Sequence, residues 1–148
     1  MLTLDNSSGI FDFINSVQSI LIIVPRGEDN CIVVHDEDIH TPLPCSSTAF
    51  IRNLCLLSGT TFEGAYLASL VLLSGGYKRP IYIGGRFDII LVPSKSPSNE
   101  KCIWTSLYCL NRYSVERYNA LHFEHVSLSI WAKRENDGKR LRNRIFEK

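Results

Sequence analysis

Apolar positions recur along this chain with two different periods, and those periods predict its elements. Residues 1–16 are mixed, and a short helix is expected around Gly9 to Asn15. Ser19 to Pro25 and Cys31 to His35 are runs rich in β-formers, separated by Arg26-Gly27-Glu28-Asp29-Asn30, whose composition is that of a turn. The two runs read as a hairpin. Asp36 to Pro44 is acidic and broken by proline, which fits a loop or an edge strand. Cys45 to Leu57 turns helical, with Phe50, Ile51, Leu54 and Leu57 at helical spacing and Ser46 or Ser47 available as a cap. Gly59 stops that helix. Thr60-x-x-Glu63 has the pattern of a capping box and predicts a second helix from Thr61 to about Leu73. Leu67, Leu70, Val71 and Ser74 would share one of its faces, and Gly75-Gly76 would end it at positive φ.

Beyond Gly76 the period returns to two. Ile81 to Ile83 and Phe87 to Val92 predict short strands around Gly84-Gly85-Arg86, and Pro93 to Asn99 a polar loop. Cys102 to Tyr108 alternates as a strand does, and His122 to Trp131 is the last strand candidate. Leu141 and Ile145 stand four apart in a tail that reads as helical. There is no internal repeat and no low-complexity segment. The order β-β-α-α-β-β-β-β-α predicts an α+β fold. We expect a single small domain over 1–148, with an antiparallel or mixed sheet, two central helices and a basic helix over 132–148.

Composition changes this picture in one respect. At 148 residues, 45% apolar and 21% charged, the chain has ordinary globular usage and the size of one core. Its net charge of +1 gives no global argument for a nucleic-acid partner. The charge is uneven, however. Residues 131–148 hold seven basic and three acidic side chains, hence +4, and leave −3 for everything before them. Five cysteines, an odd number with no C-x-x-C pair, argue against a disulfide framework or a zinc site and suit a reducing cytoplasm. Met1-Leu2-Thr3-Leu4-Asp5 lacks the basic start of a signal peptide, and the longest apolar run, Ile20 to Val24, is too short to span a membrane. A cytoplasmic location without membrane contact is therefore expected.

The candidate chemistry is sparse. Gly59-Thr60-Thr61 at a helix start is either an ordinary N-cap or a site where free amides and hydroxyls meet an anion. No Gly-Lys-Ser/Thr follows, so it is not a P-loop. Lys78-Arg79, between a helix stop and a strand, would be held at the surface as a solvated turn or as a phosphate contact. His122 and His125 lie in a strand-like run, where their spacing puts them on opposite faces, so no metal is expected. Cys55 and Cys102 sit in no nucleophile turn, and no carboxylate pair stands out, so neither catalysis nor a cofactor is expected. Lys139, Arg140, Arg142 and Arg144 make either a solubilising helix end or an arm that touches phosphates.

One combination of motifs is more specific. Cys55-Leu-Leu-Ser-Gly59-Thr60-Thr61-Phe62-Glu63-Gly64 is followed by Lys78-Arg79-Pro80-Ile81, then by Ile89-Ile90-Leu91-Val92-Pro93-Ser94-Lys95-Ser96-Pro97, and last by Cys102-Ile103-Trp104-Thr105-Ser106. In that order they resemble the bacterial competence transcription factor (ComK) family. The resemblance covers about residues 54–110 and, more loosely, 19–53. It implies a cytoplasmic transcription activator of DNA-uptake genes. Such a protein binds A/T-rich duplex boxes through the minor groove, assembles as a homo-oligomer and is governed by an adaptor-protease system. The resemblance makes Thr60, Thr61, Lys78, Arg79 and Lys95, then Arg140, Arg142 and Arg144, the expected DNA contacts. Gly59 and Gly64 would set the loop-helix geometry, and Cys55 and Trp104 would belong to the core. The chain departs from the family pattern at Ala65, where a basic residue is usual, and its helix to Leu73 carries no charge. That departure opens an alternative: a protein-interaction module of the same fold that pairs with a relative or a regulatory partner. The apolar run Leu70 to Leu73 would then serve an interface and not the core.

Overall fold

A computed structural model of the chain describes residues 4–73, 78–112 and 128–146. The first helix, α1 (Leu4–Ser16), leads into three strands, β1 (Ile20–Pro25), β2 (Cys31–His35) and β3 (Ile39–Leu43). Two helices follow, α2 (Ser47–Leu57) and α3 (Phe62–Leu73). Then come β4 (Ile81–Ile83), β5 (Ile89–Pro93), β6 (Trp104–Ser106), α4 (Leu107–Arg112) and α5 (Leu128–Phe146). The strands form one antiparallel sheet in the order β3-β2-β1-β6-β5-β4. It consists of two three-stranded meanders joined where Ile22 faces Thr105 and Ile23 faces Trp104. This is the α+β class that the element order predicts.

The sheet is covered on both faces, which explains why its central strands are near-continuous apolar runs. Ile20, Ile23, Cys31, Val33, Leu91 and Trp104 point into one core layer beneath α1 and α2. Leu21, Ile22, Val24, Val34, Ile90 and Val92 point into the other, beneath α4 and α5. An irregularity in the ladder between Ile20 and Ile22 lets Leu21 and Ile22 share a face. Each such side chain contributes about 1.5–3 kcal/mol when fully buried. Helix α3 runs past the β4 edge from one layer to the other, since Ala65 belongs to the first and Leu73 to the second.

Two polar clasps hold the periphery. Gly27, at φ 78°, turns the β1–β2 hairpin, and the Arg26 amide donates to Asn30 O at 2.8 Å. Asp36, at φ 52°, accepts from the amides of Gln18 and Ser19 at 2.8 and 3.1 Å through Oδ1, and its Oδ2 meets His35 Nδ1 at 2.8 Å. His35 Nε2 lies 2.7 Å from Thr41 Oγ1. On the other side of the same α1–β1 junction, Arg86 donates to the carbonyls of Ile14 and Val17 and so fastens the end of α1 to the β4–β5 turn.

Three sequence expectations change, and the shared face expected on α3 proves to be its solvent side. Helix α1 extends to Leu4, well before Gly9. Cys102 to Tyr108 is not a continuous strand: β6 ends at Ser106, whose hydroxyl accepts from the Cys109 amide at 3.1 Å and starts α4. Leu128 to Trp131 is helical backbone in α5 and not strand, while 122–127, with both histidines, lies outside the described residues. The buried stripe of α3 is Ala65, Ser69 and Leu73, and Leu67, Leu70 and Val71 face solvent. The helix is apolar nearly all round, so its pattern carried no information about which face is inside. The Gly75-Gly76 stop also lies outside the described residues.

Candidate nucleic-acid interface

The corner between α2 and α3 is set by backbone chemistry. Ser46 caps α2, its hydroxyl accepting from the Ala49 amide at 3.1 Å. At the far end the Gly59 amide donates to Leu56 O at 3.1 Å and the Thr60 amide to Cys55 O at 3.0 Å. These are the two bonds of a Schellman ending, with Gly59 at φ 82° in its left-handed position. The two helices then meet at 83°. The cap of α3 is Thr61 and not Thr60: Thr61 Oγ1 accepts from the Gly64 amide at 2.9 Å, and Thr61 O from the Ala65 amide at 3.0 Å. A Cβ at Gly64 would stand 3.0 Å from Thr61 Oγ1 and 3.4 Å from Thr60 Oγ1, which is the steric reason for glycine there. Glu63 completes no capping box. Its carboxylate pairs with Arg52 on α2, and that hydrogen bond chiefly holds it below the usual carboxylate range.

Around this corner lies an aromatic seam. The rings of Phe62 and Tyr66 stack at 5.9 Å, and Trp104 meets Phe62 edge-on at 6.0 Å. Arg52 lies 5.6 Å from the Phe62 ring centre. A cleft of about 510 Å³ opens here between Arg52, Phe62 and Tyr66 on one side and Ser96, Pro97 and Ser98 on the other. The loop that forms its second wall is held by Ile103 N donating to Ser94 Oγ at 2.9 Å and by Cys102 Sγ donating to Lys95 O at 3.3 Å. Lys95, half-buried, therefore has a fixed backbone. Lys78 is exposed as expected, but Arg79 is only 9% exposed. The Arg79 guanidinium lies 4.1 Å over the Tyr66 ring and donates to Tyr66 O at 3.4 Å. The surface position expected for Arg79 is thus corrected: a planar guanidinium is more weakly hydrated than an ammonium, and the Tyr66 ring face and carbonyl compensate part of the water it gives up.

The tail arginines lie elsewhere. Arg134, Gly138 and Leu141 turn the inner stripe of α5 toward the second core layer, and a Cβ at Gly138 would stand 2.9 Å from Leu107 Cδ1. Arg140 and Arg144, four apart, are exposed along one side of that helix. Arg140 Nη1 is 3.7 Å from Asp137 Oδ1, and Lys139 is 3.0 Å from Glu135. Arg142 instead flanks the inner stripe and lines a second cleft of about 510 Å³ beside Phe87, Tyr108 and Phe146. The fold thus gathers Thr60, Thr61, Arg79 and the Lys95 loop around the α2–α3 corner. It sets Arg140, Arg142 and Arg144 across the sheet from that corner.

The core assignments fit the geometry. Cys55 and Trp104 belong to the first core layer, and burial pushes the Cys55 thiol up to about 11, so it remains a protonated apolar group. Among the described residues no three metal-ligating side chains come together, and no single helix is long and apolar enough to cross a membrane. A family model described as ComK protein matches residues 14–128. The chain belongs to the ComK family. No curated protein and no solved structure matches it. The ComK match takes in the α2–α3 corner, Lys78 and Lys95, and it ends where α5 begins, so the arginines of the tail lie beyond it. Arg52 and Tyr66 escaped the sequence reading. The Phe62–Tyr66 pair was legible as i,i+4 neighbours on a helix, whereas Arg52 and Glu63 meet only because the helices turn at Gly59.

Proposed function

We propose that this ComK-family chain is a transcriptional regulator of competence genes that binds A/T-rich duplex DNA through the minor groove. The single observation that carries this reading is the family match over 14–128, which includes the residues the motifs single out. The arrangement of the α2–α3 corner supports it. Thr60 and Thr61 stand at the tip of a rigid turn, Lys78 is exposed, and Arg79 braces α3 through Tyr66. Lys78 and Lys95 are assigned to phosphates, Thr60 and Thr61 to the groove edge, and Arg79 to positioning. The arginines Arg140, Arg142 and Arg144 act as a separate arm that meets the backbone of the same or an adjoining duplex segment. Minor-groove reading separates A·T from G·C pairs and little else, and narrow A-tract grooves attract cations. Homo-oligomers on the promoter and control by an adaptor-protease system belong to the same proposal.

A second reading is favoured by a particular observation. Leu67 is 60% and Val71 74% exposed on the uncharged outer side of α3, with Leu70 beside them. An apolar helix face of this kind suits a protein partner, either a relative or a regulator. A competition assay decides between the readings. We expect unlabelled A/T-rich duplex to displace a labelled A/T-rich probe at concentrations at which G/C-rich duplex of equal length does not. Equal displacement by both would overturn minor-groove selectivity, and folded protein that binds neither duplex would leave the interaction module.

A further inference from the structure

Strand β6 is shorter than the strands on either side of it. It pairs with β1 only at Ile22 and Ile23, and with β5 only from Leu91 to Pro93. Ile20 and Leu21 on β1 and Ile89 and Ile90 on β5 therefore run on past its end at Ser106, where the chain turns into α4. The cleft of about 510 Å³ beside Arg142 opens at this place, and those four buried residues line it together with Leu107. Its size suits a small ligand. The rim differs from this apolar floor. Tyr108 and Phe146 are exposed rings there. Asp88 and Arg142 line the same cleft, both exposed and of opposite charge, and they do not pair with each other. Lys139 and Arg140 pair along α5, but Arg142 has no acidic partner among the described residues. One oxygen of Asp88 is engaged: Oδ1 accepts from the Tyr82 hydroxyl. The Tyr82 ring also meets Phe146 edge-on at 5.8 Å, so one tyrosine positions two members of the rim.

We propose that this cleft binds a short apolar peptide with free ends, its carboxylate held by Arg142 and its ammonium by Asp88. The shape of the cleft selects a peptide. β1 and β5 stand one strand apart where β6 has ended, so extended main chain fits between their ends. The overhang on each side corresponds to about two or three residues of such a chain. The charges select its free ends. A guanidinium takes a carboxylate through paired N–H donors, and the second oxygen of Asp88 takes an ammonium. A ligand with a carboxylate alone would leave Asp88 against its apolar body, and one with a cation alone would do the same to Arg142. The buried floor and the rings of Tyr108 and Phe146 receive apolar side chains. Arg142 is shared with the tail arm proposed for DNA, and peptide binding measured without DNA is independent of that reading.

The test titrates the full-length wild-type protein with the dipeptide leucyl-phenylalanine and follows backbone amide signals by nuclear magnetic resonance. Saturable shifts should appear at Asp88, Ile90, Ser106 and Leu107. The C-terminal amide of the same dipeptide, which lacks the carboxylate, should bind roughly tenfold more weakly, and so should its N-acetyl form, which lacks the ammonium. Arg142→Gln should remove the preference for acid over amide and keep the preference for the free ammonium. Asp88→Asn, which tolerates the left-handed backbone at φ 49°, should do the reverse. Circular dichroism checks that both variants fold, and the three ligands on the wild-type protein decide the matter if one does not. Folded wild-type protein that shows no saturable shift, shifts confined to residues away from the cleft, or equal affinity for the free, amidated and acetylated dipeptides would overturn the proposal. So would a folded Arg142→Gln variant that keeps the wild-type preference for the acid.

Discussion

Lys78 stands in solvent just before β4, while its neighbour Arg79 lies on the Tyr66 ring and donates to the carbonyl of the same residue. The two cations therefore have separable roles, and substitution should divide them. Lys78→Ala should leave the thermal midpoint nearly unchanged, within about 0.5 kcal/mol of wild type, because it removes an exposed side chain. The same variant should weaken DNA binding across all sequences and shallow its salt dependence by about one unit if one phosphate contact is lost. Arg79→Ala removes a stacked cation and a hydrogen bond, which together are worth about 1–3 kcal/mol. It should lower the melting temperature clearly, and its loss of affinity should follow the loss of fold. A variant Lys78→Ala that melts early, or an Arg79→Ala that is fully stable but does not bind, would reverse this division. From the sequence the pair looked like one feature, because adjacent basic residues carry no mark of which one meets an aromatic ring thirteen positions away.

Among the elements, those whose signals are local were legible. The hairpin around Gly27, the proline-marked edge strand β3, the Ser46 cap and the Gly59 stop each depend on a residue acting within a few positions of itself. Elements decided by distant contacts were not. The alternation of Ile103, Thr105 and Leu107 continues unbroken into α4, and only the Ser106 hydroxyl marks the change of element. The corner cap moved by one residue, from Thr60 to Thr61, because Glu63 is engaged by Arg52 and does not reach back. The clasp at Asp36 joins the end of α1 to β2 over seventeen residues, again beyond local pattern. This clasp makes stability depend on pH with a definite sign. The bond from His35 chiefly, and then the amides of Gln18 and Ser19, hold the Asp36 carboxyl below its ordinary range despite partial burial. A carboxylate depressed in the folded state adds stability above its unfolded pKa of about 3.9, and that stability is lost as pH falls through the folded value. Asp36→Asn, which tolerates the left-handed backbone at φ 52°, should thus be less stable than wild type near neutrality, and the gap should close below about pH 4. Urea midpoints from pH 3 to 7 measure this, and two curves that stay parallel throughout would contradict it.

For the whole molecule, the decisive fact is the division made by the sheet. The family-matched corner of α2 and α3 lies over one core layer, and the basic helix α5 covers the other. The near-neutral total charge conceals this arrangement, since the tail's +4 is offset by an acidic remainder. Two cationic groups on different faces suit a protein that touches DNA with its corner and steadies it with its tail, and the exposed Leu67, Leu70 and Val71 leave α3 an apolar side for a partner. The most direct measurement is the affinity of the wild-type protein for an A/T-rich duplex by fluorescence anisotropy over a series of salt concentrations, repeated with Lys78 and Lys95 both changed to Ala. The account predicts that log affinity falls linearly with log salt, at roughly −0.9 for each phosphate neutralised, and that the double variant has a slope shallower by about two units. A wild-type affinity that does not change with salt, or a double variant with the wild-type slope, would contradict the assignment of this corner to the DNA backbone.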